Sequence, residues 1–170
     1  PGTNVGFMVL DRLAKRQGAG WEVNKKFAAH LTKTTQESNS VFLCKPQGYM
    51  NLSGQSVVPL AKFYQIPFGH IMVVVDDLDL PLGTIRMRPG GGTGGHRGLD
   101  SIRGLLGKAD IARLRLGIGR PEPNCDVSGF VLGKFTEAET ELLERVLETA
   151  ADQLASVSYT HLTLPTNREV

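Results

Sequence analysis

The chain has 170 residues, of which 41% are hydrophobic and 21% charged, and its formal net charge is +2. That length excludes most two-domain architectures, and that composition suits a packed core rather than wholesale disorder. There is no run of about 18 apolar residues to span a membrane, and Pro1-Gly2-Thr3-Asn4, which lacks an initiator Met, does not read as a signal peptide.

Taken in chain order, residues 4–16 read as a helix. Asn4 can cap it, Val5, Met8, Val9 and Leu13 form its apolar stripe, and Gly18 can stop it. Residues 27–36 and 40–45 read as an antiparallel hairpin turned at Glu37-Ser38-Asn39. Residues 54–65 read as a second helix, weakened by Pro59. Ile71-Met72-Val73-Val74-Val75 has no polar alternation, as expected of a strand buried on both faces of an α/β sheet. Residues 84–88 and 112–118 alternate polar with apolar, so each should keep one wet face, and a short helix is expected over 97–106 between them. Thr136 opens the last helix with a capping box, and the stripe from Leu142 to Leu154 is its buried side. From about Ser156 the helical period is lost and Pro165 blocks continuation, so 156–170 reads as a tail outside the fold. No internal repeat is visible.

Charge is segregated along this order. The segment 86–120 carries eight basic residues against two acids, and 137–152 carries six acids against Arg145. A basic middle on a nearly neutral protein points to a polyanion-binding face, with a solvated basic surface as the alternative. Cys44 and Cys125 are far apart and in no metal or redox spacing, so they read as thiols of a reducing cytosol.

Three segments can carry chemistry. Residues 89–98 hold six glycines between a strand and a helix, a geometry that offers backbone N–H groups to a phosphate. Gly90, Gly92 and Gly95 form a formal GxGxxG, so a dinucleotide is weighed as well. The arginines of the preceding strand, and the lack of an acid about 20 residues on, speak against it. Asp76-Asp77-Leu78-Asp79 follows the buried strand, where α/β sheets place their sites. Asp76 there can orient a histidine base, while a divalent metal or plain turn acids are the alternatives. In 45–54, Asn51 can hold a carbonyl or a water, Tyr49 can stack on a base, Met50 reads as packing, and Ser53 reads as the cap of the next helix.

The segments KPQGYMNLSG, VVVDDLDLPLG, PGGGTGGHRGL, RLRLGIGRP and VSGFVLGKF, in this order, resemble the bacterial peptidyl-tRNA hydrolases over roughly residues 4–155. The resemblance implies one α/β domain, a mixed sheet with helices on both faces. It implies hydrolysis of the ester between peptide and tRNA by a cytoplasmic monomer, with no metal and no cofactor. By the resemblance, Asp76 polarises a histidine base, Asn51 positions substrate and water, and His96, at the wall of the site, is the third catalytic candidate. Asn4, Tyr49, Met50, Gly94 and Arg97 join the substrate surface, and Arg88 and Arg115 lie near the acceptor stem of the tRNA. A non-catalytic RNA-binding protein of the same fold, and a nucleotide enzyme using 90–95, are the other readings.

The departures from the pattern are specific. The family's first strand is absent, which should expose an edge or slot in the sheet. Thr3 stands where the family has its catalytic histidine, and Arg97 where it has an asparagine. His30, His70 and His161 are poorly placed to substitute for that histidine. The expectation is a domain over 1–155, truncated at its start, extended by a non-matching tail over 156–170, and weak in catalysis.

Overall fold

The computed structural model describes residues 5–36, 39–48, 53–92, 97–106, 111–119, 137–159 and 165–169. Helix α1 is Val5–Arg16. Val5, Val9, Leu10 and Leu13 recur at helical spacing and are all buried. Gly18 takes the left-handed conformation (φ +64°) and ends the helix. The N–H of Ala19 then donates to the Ala14 carbonyl at 3.0 Å.

The expected hairpin forms from β2 (Ala29–Gln36) and β3 (Asn39–Pro46), paired in register from Ala29 opposite Pro46 to Gln36 opposite Asn39. A short strand β1 (Glu22–Asn24), too short to carry a pattern, adds antiparallel to β2. Helix α2 is Gly54–Phe63 and keeps Pro59 inside it. Both Pro59 and Gln55, whose carbonyl loses its helical donor, lie on the exposed side, where solvent can reach that carbonyl. Ser53 precedes α2 without the cap expected of it. Its own backbone is already helical (φ −60°, ψ −34°), so its hydroxyl makes no cap hydrogen bond.

The remaining elements are β4 (Met72–Asp77), β5 (Ile85–Arg88), α3 (Arg97–Leu106), β6 (Ala112–Gly117), α4 (Glu137–Tyr159) and β7 (Pro165–Glu169). Among the described residues the strands form one sheet in the order β1-β2-β3-β7-β4-β6-β5. β3, β7, β4 and β6 run parallel, and both edges are antiparallel, so the sheet is mixed as expected. Helices cover both faces. α1 and α4 pack on Val41, Leu43, Met72, Val74, Leu114 and Leu116, while α2 and α3 pack on Phe42, Val73 and Val75. β4 shows the two-sided burial its apolar run demands: Val73 and Val74 are both 0% exposed.

Two expectations at the end of the chain are corrected. Residues 156–159 continue α4, because extending a formed helix adds one bond per residue fixed and no proline intervenes. Beyond it, 165–169 forms strand β7 rather than a loose end. Pro165 sits at the first strand position, where a missing donor is tolerated. β7 lies between β3 and β4 in the middle of the sheet. It pairs parallel with β3 at Phe42–Cys44 and with β4 at Met72–Val75, so the backbone ladders of both neighbours find partners there.

Candidate active site

The alternation along β4 sends consecutive side chains to opposite faces. Met72 and Val74 belong to the core under α1 and α4, and Val73 and Val75 to the core under α2 and α3. Asp76 therefore lies on the α1 side and Asp77 on the other. Asp76 is 7% exposed, and its Oδ1 accepts the backbone N–H of Gly6, in the first turn of α1, at 3.2 Å. A buried carboxylate is tolerated there because the open N–H groups and positive dipole end of a helix are aimed at it. The site so formed lies at the carboxyl end of a central parallel strand, where open α/β sheets place ligands. The close approach of 80–81 is built in at Gly117, where any Cβ would collide with the Pro81 carbonyl oxygen. The N–H of Gly119 donates to the Leu80 carbonyl at 2.9 Å and holds the turn after Asp77 against the end of β6.

The other face carries the basic residues. Leu114 and Leu116 of β6 and Ile85 of β5 belong to the α1 side, so Arg113, Arg115, Arg86 and Arg88 share the opposite one. Arg86 lies opposite Arg115, and Arg88 opposite Arg113. Arg86 and Arg88 are exposed. Arg115 is ion-paired with Asp77, whose Oδ1 also accepts the N–H of Asp79 at 2.8 Å. Arg113 corrects the expectation of a wet face along 112–118. It is 4% exposed, buried where 91–92 of the glycine-rich loop fold over it.

Of the residues singled out from the sequence, Asp76, Arg88, Arg97 and Arg115 are described. Arg97 is exposed as the first residue of α3. Thr3, Asn4, Tyr49, Met50, Asn51, Gly94 and His96 lie outside the described residues, as do the turn at 37–38, Cys125 and the capping box at Thr136. The GxGxxG reading loses its context. Its glycines follow an antiparallel edge strand, whereas the dinucleotide fingerprint follows a parallel strand of a βαβ unit. His70 lies six residues before Asp76 along extended chain, about 20 Å away. His30 faces Lys45 in the hairpin. Among the described residues no three His, Cys, Asp or Glu side chains converge as a metal site, and no helix is long and apolar enough to cross a membrane. Besides the burial of Arg113, sequence reasoning missed the Gly6 amide, which a side-chain pattern cannot show, and the partner of Arg115, although Asp77 stood beside Asp76.

The family model for peptidyl-tRNA hydrolase matches residues 3–168. The peptidyl-tRNA hydrolase of Mycobacterium avium is 48% identical over 149 residues, covering 88% of this chain and 78% of its own length. That of Trichlorobacter lovleyi is 48% identical over 151 residues, with shares of 89% and 77%. Among solved structures, peptidyl-tRNA hydrolase from Acinetobacter baumannii superposes with a TM-score of 0.81 at 36% identity, covering 95% of this chain and 84% of its own. Its Arg119Gln mutant gives 0.82 at 39% identity, with shares of 91% and 79%.

Proposed function

Because the chain belongs to the peptidyl-tRNA hydrolase family, whose members are ester hydrolases, we propose that its substrate is the ester joining a peptide to the 3′ end of tRNA. On this reading it recycles tRNA for translation as a cytoplasmic monomer. The observation that carries the reading is the buried Asp76 carboxylate held at the first turn of α1. A carboxylate fixed there orients and charge-stabilises an imidazole contributed by the residues entering that turn. In the family pattern the imidazole belongs to the residue two before Val5, and here that residue is Thr3.

The chemistry follows from the substrate. An ester is activated already, so one water and one base suffice. The water attacks the ester carbonyl, the oxyanion draws on Asn51 and on loop amides, and the tRNA 3′ oxygen leaves with a proton. Threonine cannot act as a base near pH 7, so substrate is bound and cleaved slowly. By the family pattern, His96, Arg97 and Gly94, with Asn4, Tyr49 and Met50, are assigned to contacts with the substrate. Arg88, exposed on the edge strand, offers its charge to acceptor-stem phosphates. Arg115 shares its charge with Asp77 and offers its remaining donors. Binding through such contacts falls steeply with salt, with a slope near 0.7–0.9 per phosphate neutralised.

The test is hydrolysis of N-acetyl-aminoacyl-tRNA by this chain and by its Thr3→His variant. We expect the histidine to raise the rate by about 100-fold or more, the usual contribution of a positioned base. Equal, efficient turnover by both would place the base elsewhere. Salt-sensitive tRNA binding with no cleavage by either would favour a non-catalytic RNA-binding protein.

A further inference from the structure

We propose that Arg113 is a positioning residue for this site, anchoring the glycine-rich loop that meets the 3′ end of the substrate. The identity of that substrate rests on the reading above, and the anchor rests on geometry alone. Arg113 is 4% exposed, and its guanidinium donates to three backbone carbonyls. Nη2 donates to Gly91 at 3.0 Å and Nη1 to Gly92. Nε and Nη2 also donate to the Ile111 carbonyl at 3.2 and 3.1 Å, which locks the fork to the start of its own strand. A guanidinium stays charged at any accessible pH, and burying it is stable only with its donors satisfied. Two successive peptides of the loop are among the groups that satisfy it.

That choice of partners fixes the loop. In a trans peptide the C=O and the following N–H point in opposite directions. Holding the Gly91 carbonyl against Arg113 therefore turns the N–H of Gly92 away from it. The backbone at Gly91 needs φ +119°, which only glycine adopts readily. The next described element in the chain is α3, whose Leu99 shares a buried cluster with Val75, the residue before Asp76. The anchored residues 91–92 lie on the α2–α3 face: Arg113 stands opposite Val73, about 10 Å down the sheet from Asp76, and Leu99 of α3 packs in the cluster of Val75. A lysine at 113 could reach one carbonyl but not span both, because an ammonium lacks the planar fork.

The test compares the full chain with its Arg113→Lys and Arg113→Met variants. Amide hydrogen exchange is read at 90–92 and, as a reference, along β4 and α1. Affinity is measured for two probes, a 3′-terminal adenosine carrying an amide-linked N-acetyl amino acid, and deacylated tRNA. In both variants we expect exchange at 90–92 to rise more than tenfold with β4 and α1 unchanged. Affinity for the adenosine probe should fall at least tenfold and that for deacylated tRNA less than twofold. Unchanged exchange at 90–92, or a uniform rise everywhere, would overturn the anchor. A freed loop with full affinity for the adenosine probe would overturn its service to the site and leave the reading of function standing. Failure of the unaltered chain to bind either probe would overturn that reading and the substrate half of this inference together.

Discussion

β4 and β7 are hydrogen-bonded neighbours in the middle of one sheet, and only one of them has the residues of a central strand. β4 reads Met-Val-Val-Val before its two aspartates, and its first four side chains are all 3% exposed or less. β7 reads Pro-Thr-Asn-Arg-Glu in the same layer, between helices on both faces. β4 is placed by its own apolar content, since both its faces must leave water. β7 is placed by its neighbours, since β3 and β4 present backbone donors and acceptors that need partners. A sheet position can thus be filled by backbone demand against side-chain preference, and the mismatch sets where stability is won and lost.

The largest effect should come from putting a β7-like residue into β4. Val74 is 0% exposed with no helix terminus aimed at it, unlike Asp76 two residues on. We expect Val74→Asp to abolish cooperative unfolding. An unpaired buried carboxylate costs several kcal/mol, a large part of the roughly 5–15 kcal/mol that holds a domain together. A variant that melts within a few degrees of the parent, followed by circular dichroism, would show that β4 is not the centre of the core.

The reverse exchange should be gentler and of opposite sign. Replacing Asn167 and Arg168 together by valine and isoleucine gives β7 the composition its position asks for. Valine and isoleucine also have higher strand propensity than asparagine and arginine, an effect of up to about 1 kcal/mol per residue. The denaturation midpoint should therefore rise. A fall would mean that the contrast with β4 is one of composition only.

The contrast also explains what could be read from the sequence. The unbroken run at 71–75 located the central strand and, with it, Asp76 at the strand's carboxyl end. The stripe of α1 and the glycine at 18 gave that helix both its face and its stop. β7 was illegible because no local pattern announces a segment recruited by its partners. Arg113 was illegible for a related reason. In R-L-R it looks like its neighbour Arg115, and only the loop folding over it separates a buried anchor from an ion-paired surface residue. Sequence reasoning saw that Arg113 was basic and missed that its charge is spent indoors.

The smallest effect concerns the helical layer over both strands. α1 touches β4 and β7 alike, and it is tied to α4 by a ladder of ion pairs. Arg12 meets Glu144 at 2.7 Å and Glu148 at 2.5 Å, and Arg16 meets Asp152 at 2.7 Å and also Glu148. The spacing of four on each helix sets these groups on facing sides. Hydrogen bonds from Arg12 and then Arg16 hold the Glu148 carboxyl below its ordinary value of 4.5. A carboxyl whose folded value lies below its unfolded one stabilises the fold above about 4.5 and loses that contribution as the pH falls through the folded value. Glu148→Gln should therefore lower the thermal midpoint slightly at pH 7 and low salt. The difference should shrink in 1 M salt and vanish well below pH 4, because exposed pairs are screened and then protonated. If the deficit grew as large as that of Val74→Asp, or persisted in acid, the layer over β4 and β7 would be held by this ladder rather than by the apolar face of α1.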